Sequence, residues 1–253
     1  MCGWAGRLGV GRLCQDRGMQ LASVPPPGTP IPELITRWAA EHGRSVAELV
    51  WRNELGGLTA RLVAADTKDL FAKWSPFDLL PEAERMSWLS SRHPSPRMFD
   101  FEEGDGEWLL VSGALPGRSA VSTRWQADPD RAAAAIGEGY ALLHSLDPSI
   151  SMFGEVDWVG PQDDVDHLVI AHGDACAPNT ILGDDGSFVG HVDLGSLGVA
   201  DRWADLAIAS WSLEWDFGPG HEPAFWSAYG IEPDPARIAH YRELWGPAPD
   251  LDA

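Results

Sequence analysis

The stretch beginning at Val169, VIAHGDACAPNTILGDDGSFVGHVDLG, gathers a histidine, an asparagine and several aspartates at spacings that invite a chemical reading. Asp185-Gly186 lies between two strand-like runs, Thr180–Leu182 and Phe188–Val192. Such a dipeptide predicts a hairpin closed by a two-residue type I′ turn, because that turn needs φ > 0 at both central positions. With residue 184 facing 187, the pairing counts back to 179 facing 192, so Asn179 and Asp193 arrive at the same open end. Two side-chain oxygens there suit a hard cation such as Mg²⁺, with phosphate oxygens and water completing the shell. Asp174, in the loop entering the hairpin, faces the same place as a candidate base. Any one of the three alone is an ordinary turn residue. Together, as H-G-D-x4-N-x13-D on a hairpin, they read as an assembled site.

The elements that must hold this site follow from periodicity. Ile31, Leu34, Ile35, Trp38 and Ala39 mark an amphipathic helix near 32–42. NELGGLTARLVAADTKDLFAKW (53–74) reads as two short strands around a polar turn at Asp66–Asp69. PEAERMSWLSSR (81–92) opens with proline and two glutamates, good helix N-terminal chemistry, and places Met86 and Leu89 on one face. EWLLVSGALPG (107–117) is a buried strand running into a Gly/Pro connector, and DRAAAAIGEGYALLHSL (130–146) is helical, with Ile136, Tyr140 and Leu143 in register. The order predicts an α+β chain of two lobes, 31–113 and 114–253. Residues 1–30 are expected to be a disordered tail or a product of an upstream start codon, with the real start at Met19.

The charge is lopsided. The chain has a net charge of −20, and residues 127–253 hold 4 Lys+Arg against 23 Asp+Glu, with no lysine. Such a lobe repels nucleic acid and anionic membrane and attracts a polycation. No apolar run is long enough for a transmembrane helix and no secretory h-region is present. Three scattered cysteines make neither a disulfide framework nor a zinc site, which with no export signal points to the cytoplasm.

HGDACAPN followed by VDLG resembles the catalytic and metal-binding loops of the protein-kinase-like fold. The fuller run HGDACAPNTILGDDGSFVGHVDLGSLGVADRWADLAIA is similar to the aminoglycoside 3′-phosphotransferases, closely over 169–210 and more loosely over 50–146. The resemblance implies a small antiparallel-sheet lobe and a mainly helical lobe carrying the catalytic β-hairpin, in an enzyme that transfers phosphate from ATP or GTP, with Mg²⁺, to an aminoglycoside hydroxyl. Asp174 would be the base, and Asn179 and Asp193 the metal ligands. Lys73 would hold the nucleotide phosphates, paired with Glu82 (Glu84 as fallback). Gly56-Gly57-Leu58-Thr59 would be the nucleotide loop, contributing Gly57 and Thr59, and Ser112 to Leu115, with Ser112 and Ala114, would offer backbone to the adenine. His172 and Asp205 would be structural supports, and Arg202 an ion-pair partner within the site. Cys176 would pack, and Trp211, Trp215, Trp226 and Trp245 would pack or line a sugar site.

The resemblance also implies a longer helical platform than residues 147–171 supply, and a different C-terminus from YRELWGPAPDLDA. The acceptor is therefore left open between an aminoglycoside and another cationic small molecule, and a nucleotide-binding pseudokinase is a third reading. A monomer or homodimer is expected.

Overall fold

The computed structural model describes residues 23–246. The expectation for the N-terminal tail lies outside the described residues up to 22. Ser23 is already paired, exchanging backbone hydrogen bonds with Arg52 at 3.0 and 2.8 Å. The described chain forms two units, residues 23–90 with 96–114, and residues 91–95 with 115–246.

The N-terminal unit runs α1 (Glu33–Glu41), β1 (Ser45–Arg52), β2 (Leu58–Val63), β3 (Leu70–Ser75), α2 (Leu80–Leu89), β4 (Met98–Gly104) and β5 (Glu107–Gly113). Its antiparallel sheet has the order β1-β2-β3-β5-β4. Strand period and helix period meet on one face. Ala60, Leu62, Leu70, Ala72, Leu109 and Val111 point inward every second residue and pack on Ile35, Trp38 and Ala39 of α1. Each fully buried large aliphatic there stabilises by roughly 1.5–3 kcal/mol. The alternate residues form the opposite face, where Thr59 lies across from Lys73 and Lys73 across from Leu110. Two strands, β1 and β4, have no counterpart in the sequence reading. Both are sheet edges with little buried face, so neither shows a clean alternation.

The C-terminal unit contains β6 (Arg118–Ser119), α3 (Thr123–Gln126), α4 (Pro129–His144), β7 (Leu168–Ala171), β8 (Thr180–Leu182), β9 (Phe188–His191), β10 (Gly198–Asp201), α5 (Arg202–Phe217), α6 (Glu222–Tyr229) and α7 (Pro235–Trp245). Ile136, Tyr140 and Leu143 of α4 are fully buried, as their register predicts. The apolar strand before His-Gly-Asp pairs with β10, and the hairpin β8–β9 carries β6 on its free edge. Between α4 and β7 the chain holds only a single 3₁₀ turn, Pro148–Ile150.

The hairpin corrects the expected turn. Gly183 N–H bonds Ser187 O and Gly186 N–H bonds Gly183 O, both at 2.9 Å, which makes a three-residue loop of 184–186. Among these residues only Gly186 has positive φ, +79°. This is a type I turn closed by a glycine bulge, not a type I′ turn. Asp185 stays out of the left-handed region because its carboxylate accepts from Ser187 N–H (2.9 Å) and Oγ–H (2.6 Å). A register shift between Ile181 and Leu182 then takes up the extra residue, so Thr180 faces His191 and Val192 N–H bonds Asn179 O at 2.9 Å. The predicted pairing of 179 with 192 survives because the bulge cancels the turn error. The two-residue type I′ geometry occurs instead at Asp105-Gly106 (φ +54° and +78°), joining β4 to β5.

Candidate active site

The catalytic loop is fixed from several sides. Asp205, fully buried in the first turn of α5, accepts the His172 N–H at 2.6 Å and the Gly173 N–H at 3.0 Å, and also meets His144 Nε2 at 3.0 Å. His172 is fully buried; its Nε2–H donates to Val192 O (3.0 Å) and its Nδ1 accepts the Asp174 N–H (3.3 Å). Those partners require the neutral Nε2–H tautomer. Burial lowers the His172 pKa, with Asp205 and the Val192 carbonyl pulling the other way. His172 thus links the loop to the residue that follows β9 and acts as a structural tie.

Gly173 has φ +78°, and a Cβ there would lie 2.2 Å from Ser196 O. Only glycine fits this corner. Asp174 follows, 8% exposed. Asn179, at the end of the 3₁₀ turn Ala177–Asn179, donates Nδ2–H to Asp174 O at 3.0 Å. That bond engages the amide nitrogen and leaves the amide oxygen available to a cation. Asp193 stands beyond the Val192–Asn179 pair with φ +61°, a left-handed conformation that a non-glycine residue adopts at a cost and that clusters at functional sites. The structure thus brings Asp174, Asn179 and Asp193 to one end of one hairpin. Among the described residues no group of three or more His, Cys, Asp and Glu is arranged to hold a metal. A carboxylate and an amide oxygen fit Mg²⁺, which keeps water and phosphate in most of its shell.

In the N-terminal unit, Lys73 Nζ meets Glu82 Oε2 at 2.7 Å, with the side chains 21% and 9% exposed. β3 presents the lysine and the first turn of α2 presents the glutamate. A charge-assisted bond this short, largely out of water, holds the ammonium at a fixed point.

A family profile described as "Phosphotransferase enzyme family" matches residues 155–241. An aminoglycoside 3′-phosphotransferase of Streptomyces fradiae is 33% identical over 232 residues, covering 70% of this chain and 84% of the relative. The chain belongs to the aminoglycoside phosphotransferase family. A streptomycin 3″-kinase of Streptomyces griseus is 30% identical over 285 residues, covering 89% of this chain and all of the relative. An aminoglycoside phosphotransferase of Streptomyces rimosus, solved in complex with ADP and streptomycin, superposes with TM-score 0.63 at 25% identity, covering 83% of this chain and 96% of that one. The chain is accordingly a phosphotransferase with an alcohol group as acceptor, built on the two-lobed protein-kinase-like α+β fold.

Not every residue of this chain sits as the sequence led one to expect. Arg202 pairs with Asp166, ahead of β7, through both Nε (2.7 Å) and Nη2 (2.5 Å), an ion pair outside the catalytic loop. The Gly57 N–H, expected to face phosphate, donates to Asn53 Oδ1 at 2.7 Å, and Thr59 lies in the ladder opposite Lys73. Gly113 and Ala114 N–H donate to Arg97 O (3.0 Å) and Asp69 O (3.1 Å), and Ser112 pairs with Phe71 and Met98, so sheet pairing already takes the Gly113 and Ala114 donors. Cys176 is buried, as packing requires. Trp226 is buried and packs on Phe225 and Trp203, a core residue and not a sugar platform.

Sequence reasoning missed three supports. Ser212 Oγ accepts the Ala177 N–H and donates to Asp216 Oδ2, both at 2.8 Å. His93, in the 91–95 segment, meets His191 of β9 at 3.0 Å, while Pro94 O accepts the His191 N–H at 3.1 Å. Trp158 Nε1–H donates to Gly173 O at 2.8 Å. Nothing in local spacing signals contacts of this sequence separation.

Among the described residues no helix is long and apolar enough to cross a membrane.

Proposed function

We propose that the chain transfers the γ-phosphoryl group of ATP or GTP, with Mg²⁺, to a hydroxyl of an aminoglycoside antibiotic in the cytoplasm, and so confers resistance. The observation that carries this reading is the single hairpin end at which Asp174, Asn179 and Asp193 meet, behind backbone fixed by Asp205 and His172. Asp174 orients the acceptor hydroxyl and takes its proton as the oxygen bonds to the γ-phosphorus and the bond to the bridging oxygen breaks, releasing the nucleoside diphosphate. Asn179 and Asp193 would hold Mg²⁺, which would supply neutralisation of phosphate charge when bound. Lys73, braced by Glu82, binds the nucleotide phosphates. Positioning and charge stabilisation dominate such transfers, so the modest basicity of an aspartate suffices. The −19 balance of residues 127–253 supports a polycationic acceptor, and relatives whose names specify aminoglycoside and streptomycin acceptors support the class.

One observation favours a second acceptor class. Residues 147–171 contain a single 3₁₀ turn and no α-helix, so the platform that the family resemblance leads one to expect is missing. Without that platform, a different cationic small molecule is the alternative acceptor. Nucleotide turnover against streptomycin, kanamycin and a panel of amino-alcohols separates the two. Phosphorylation of an aminoglycoside supports the first reading, turnover of amino-alcohols alone supports the second, and none at all overturns both. In the productive assay Asp174→Ala is expected to lower kcat about 10²–10⁴-fold with nucleotide binding kept.

A further inference from the structure

The peptide unit between Gly173 and Asp174 carries the proposed base, and its plane is the least constrained by sequence. Glycine at 173, with φ +78°, has no Cβ to restrict ψ, so the unit can rotate unless both its ends are held. Its N–H end reaches His172 Nδ1 at 3.3 Å, a long and therefore weak bond. Its C=O end accepts the indole Nε1–H of Trp158 at 2.8 Å. The short bond sets the plane.

Trp158 is itself well seated. Val156 N–H bonds Val199 O (3.1 Å) and Val199 N–H bonds Gly154 O (2.9 Å), laying residues 154–156 beside β10. Val156 and Val159 on either side are buried, at 2% and 6% exposure. The Trp158 ring meets the ring of Trp245, in the last turn of α7, edge to face at 5.0 Å. Such an aromatic contact adds rigidity beyond its buried area. The indole therefore reaches the loop from a fixed direction, held by β10 below and α7 at its edge.

We propose that Trp158 is a positioning residue for Asp174, locking the Gly173–Asp174 peptide plane so that the carboxylate is presented in one orientation. Asp205 holds the two N–H groups upstream, at 172 and 173, and Asn179 holds the Asp174 carbonyl downstream. Trp158 supplies the remaining strong bond, on the one peptide these residues do not reach. It comes from the segment that otherwise carries only a 3₁₀ turn, which gives that short stretch a duty in the reaction. The inference rests on the reading of Asp174 as the base.

The test compares wild type, Trp158→Phe and Trp245→Ala with Mg²⁺-ATP and with streptomycin and kanamycin as acceptors, alongside hydrogen exchange of the 169–182 peptide. Trp158→Phe keeps an aromatic ring and removes the donor together with one ring of the indole, so Trp245→Ala serves as the control for lost packing. Loss of one hydrogen bond to a buried carbonyl predicts a fall of about tenfold in kcat, with the nucleotide KM within about twofold and faster exchange confined to the loop. Trp245→Ala, which keeps the donor and loosens its seat, is expected to show the same pattern at about threefold and serves if Trp158→Phe does not fold. Unchanged kcat and unchanged loop exchange overturn the proposal, as does a loss expressed only in KM or in global stability. If wild type turns over neither acceptor, the functional reading fails there, and loop exchange alone decides the role of Trp158.

Discussion

Asp205→Asn removes one oxygen and the charge from a side chain that is fully buried and accepts from His172 N–H, Gly173 N–H and His144. The surviving amide oxygen serves best at the Oδ2 position, where two of the three donors converge. The amide nitrogen then faces the Gly173 N–H, donor against donor. One hydrogen bond to a charged group is lost, about 1.5–3 kcal/mol, and a buried N–H is left unmet, about 1–3 kcal/mol. A total of about 2.5–6 kcal/mol in a chain of this length lowers Tm by roughly 5–24 °C, since each kcal/mol moves it about 2–4 °C. Because the two backbone groups belong to the residues that lead into Asp174, kcat is expected to fall at least about tenfold below the melting range, with nucleotide KM little changed. Differential scanning calorimetry and steady-state kinetics on the same preparation read both effects. A variant that melts within about 2 °C of wild type and keeps its kcat would refute the claim that this carboxylate holds the loop.

Lys73→Met should raise the nucleotide KM about 10–100-fold, and Glu82→Gln less, since the pair at 2.7 Å holds a charge where phosphate is expected; isothermal titration with Mg²⁺-ATP checks it, and unchanged affinity assigns the pair to structure alone. His93 is held at a pKa of about 3 by burial, with His172 and His144 adding to the effect. The unfolded chain therefore binds a proton that the folded one refuses between about pH 6.5 and 3, so this histidine's stability contribution is whole above 6.5 and declines by up to about 1.4 kcal/mol per pH unit as acid is added. Urea midpoints measured from pH 7 to 5 should fall less steeply in His93→Phe than in wild type, whatever the variant's stability at pH 7.

The edge strands and the turn show where sequence periodicity stopped being informative. β1 and β4 flank the sheet and bury little, so SVAELVWR and MFDFEEG carry no strong period of two, although Asp105-Gly106 between β4 and β5 was a hairpin signal in plain sight. At Asp185-Gly186 the same dipeptide closes a different loop, because the Asp185 carboxylate bonds Ser187 and holds its own φ negative. Dipeptide identity specifies a turn's neighbourhood, and side-chain hydrogen bonds choose its type.

The Lys73–Glu82 pair came from the family resemblance, whereas by itself the sequence determined the helices α1, α2 and α4, the central strands β2, β3 and β5 and the meeting of Asn179 with Asp193. Each depends on spacing along one element or across one turn, which local geometry transmits directly. Only the tertiary structure decided what holds the catalytic loop: Asp205 and Ser212 from α5, Trp158 from beside β10, and His93 against His191. It also took Arg202 away to Asp166 and gave the Gly57 and Ala114 N–H groups to neighbours within the N-terminal unit. Apart from Gly57 and Asn53, which are four positions apart, those contacts join residues fifteen or more positions apart, so their partners are set by how elements pack and leave no period for a sequence to display.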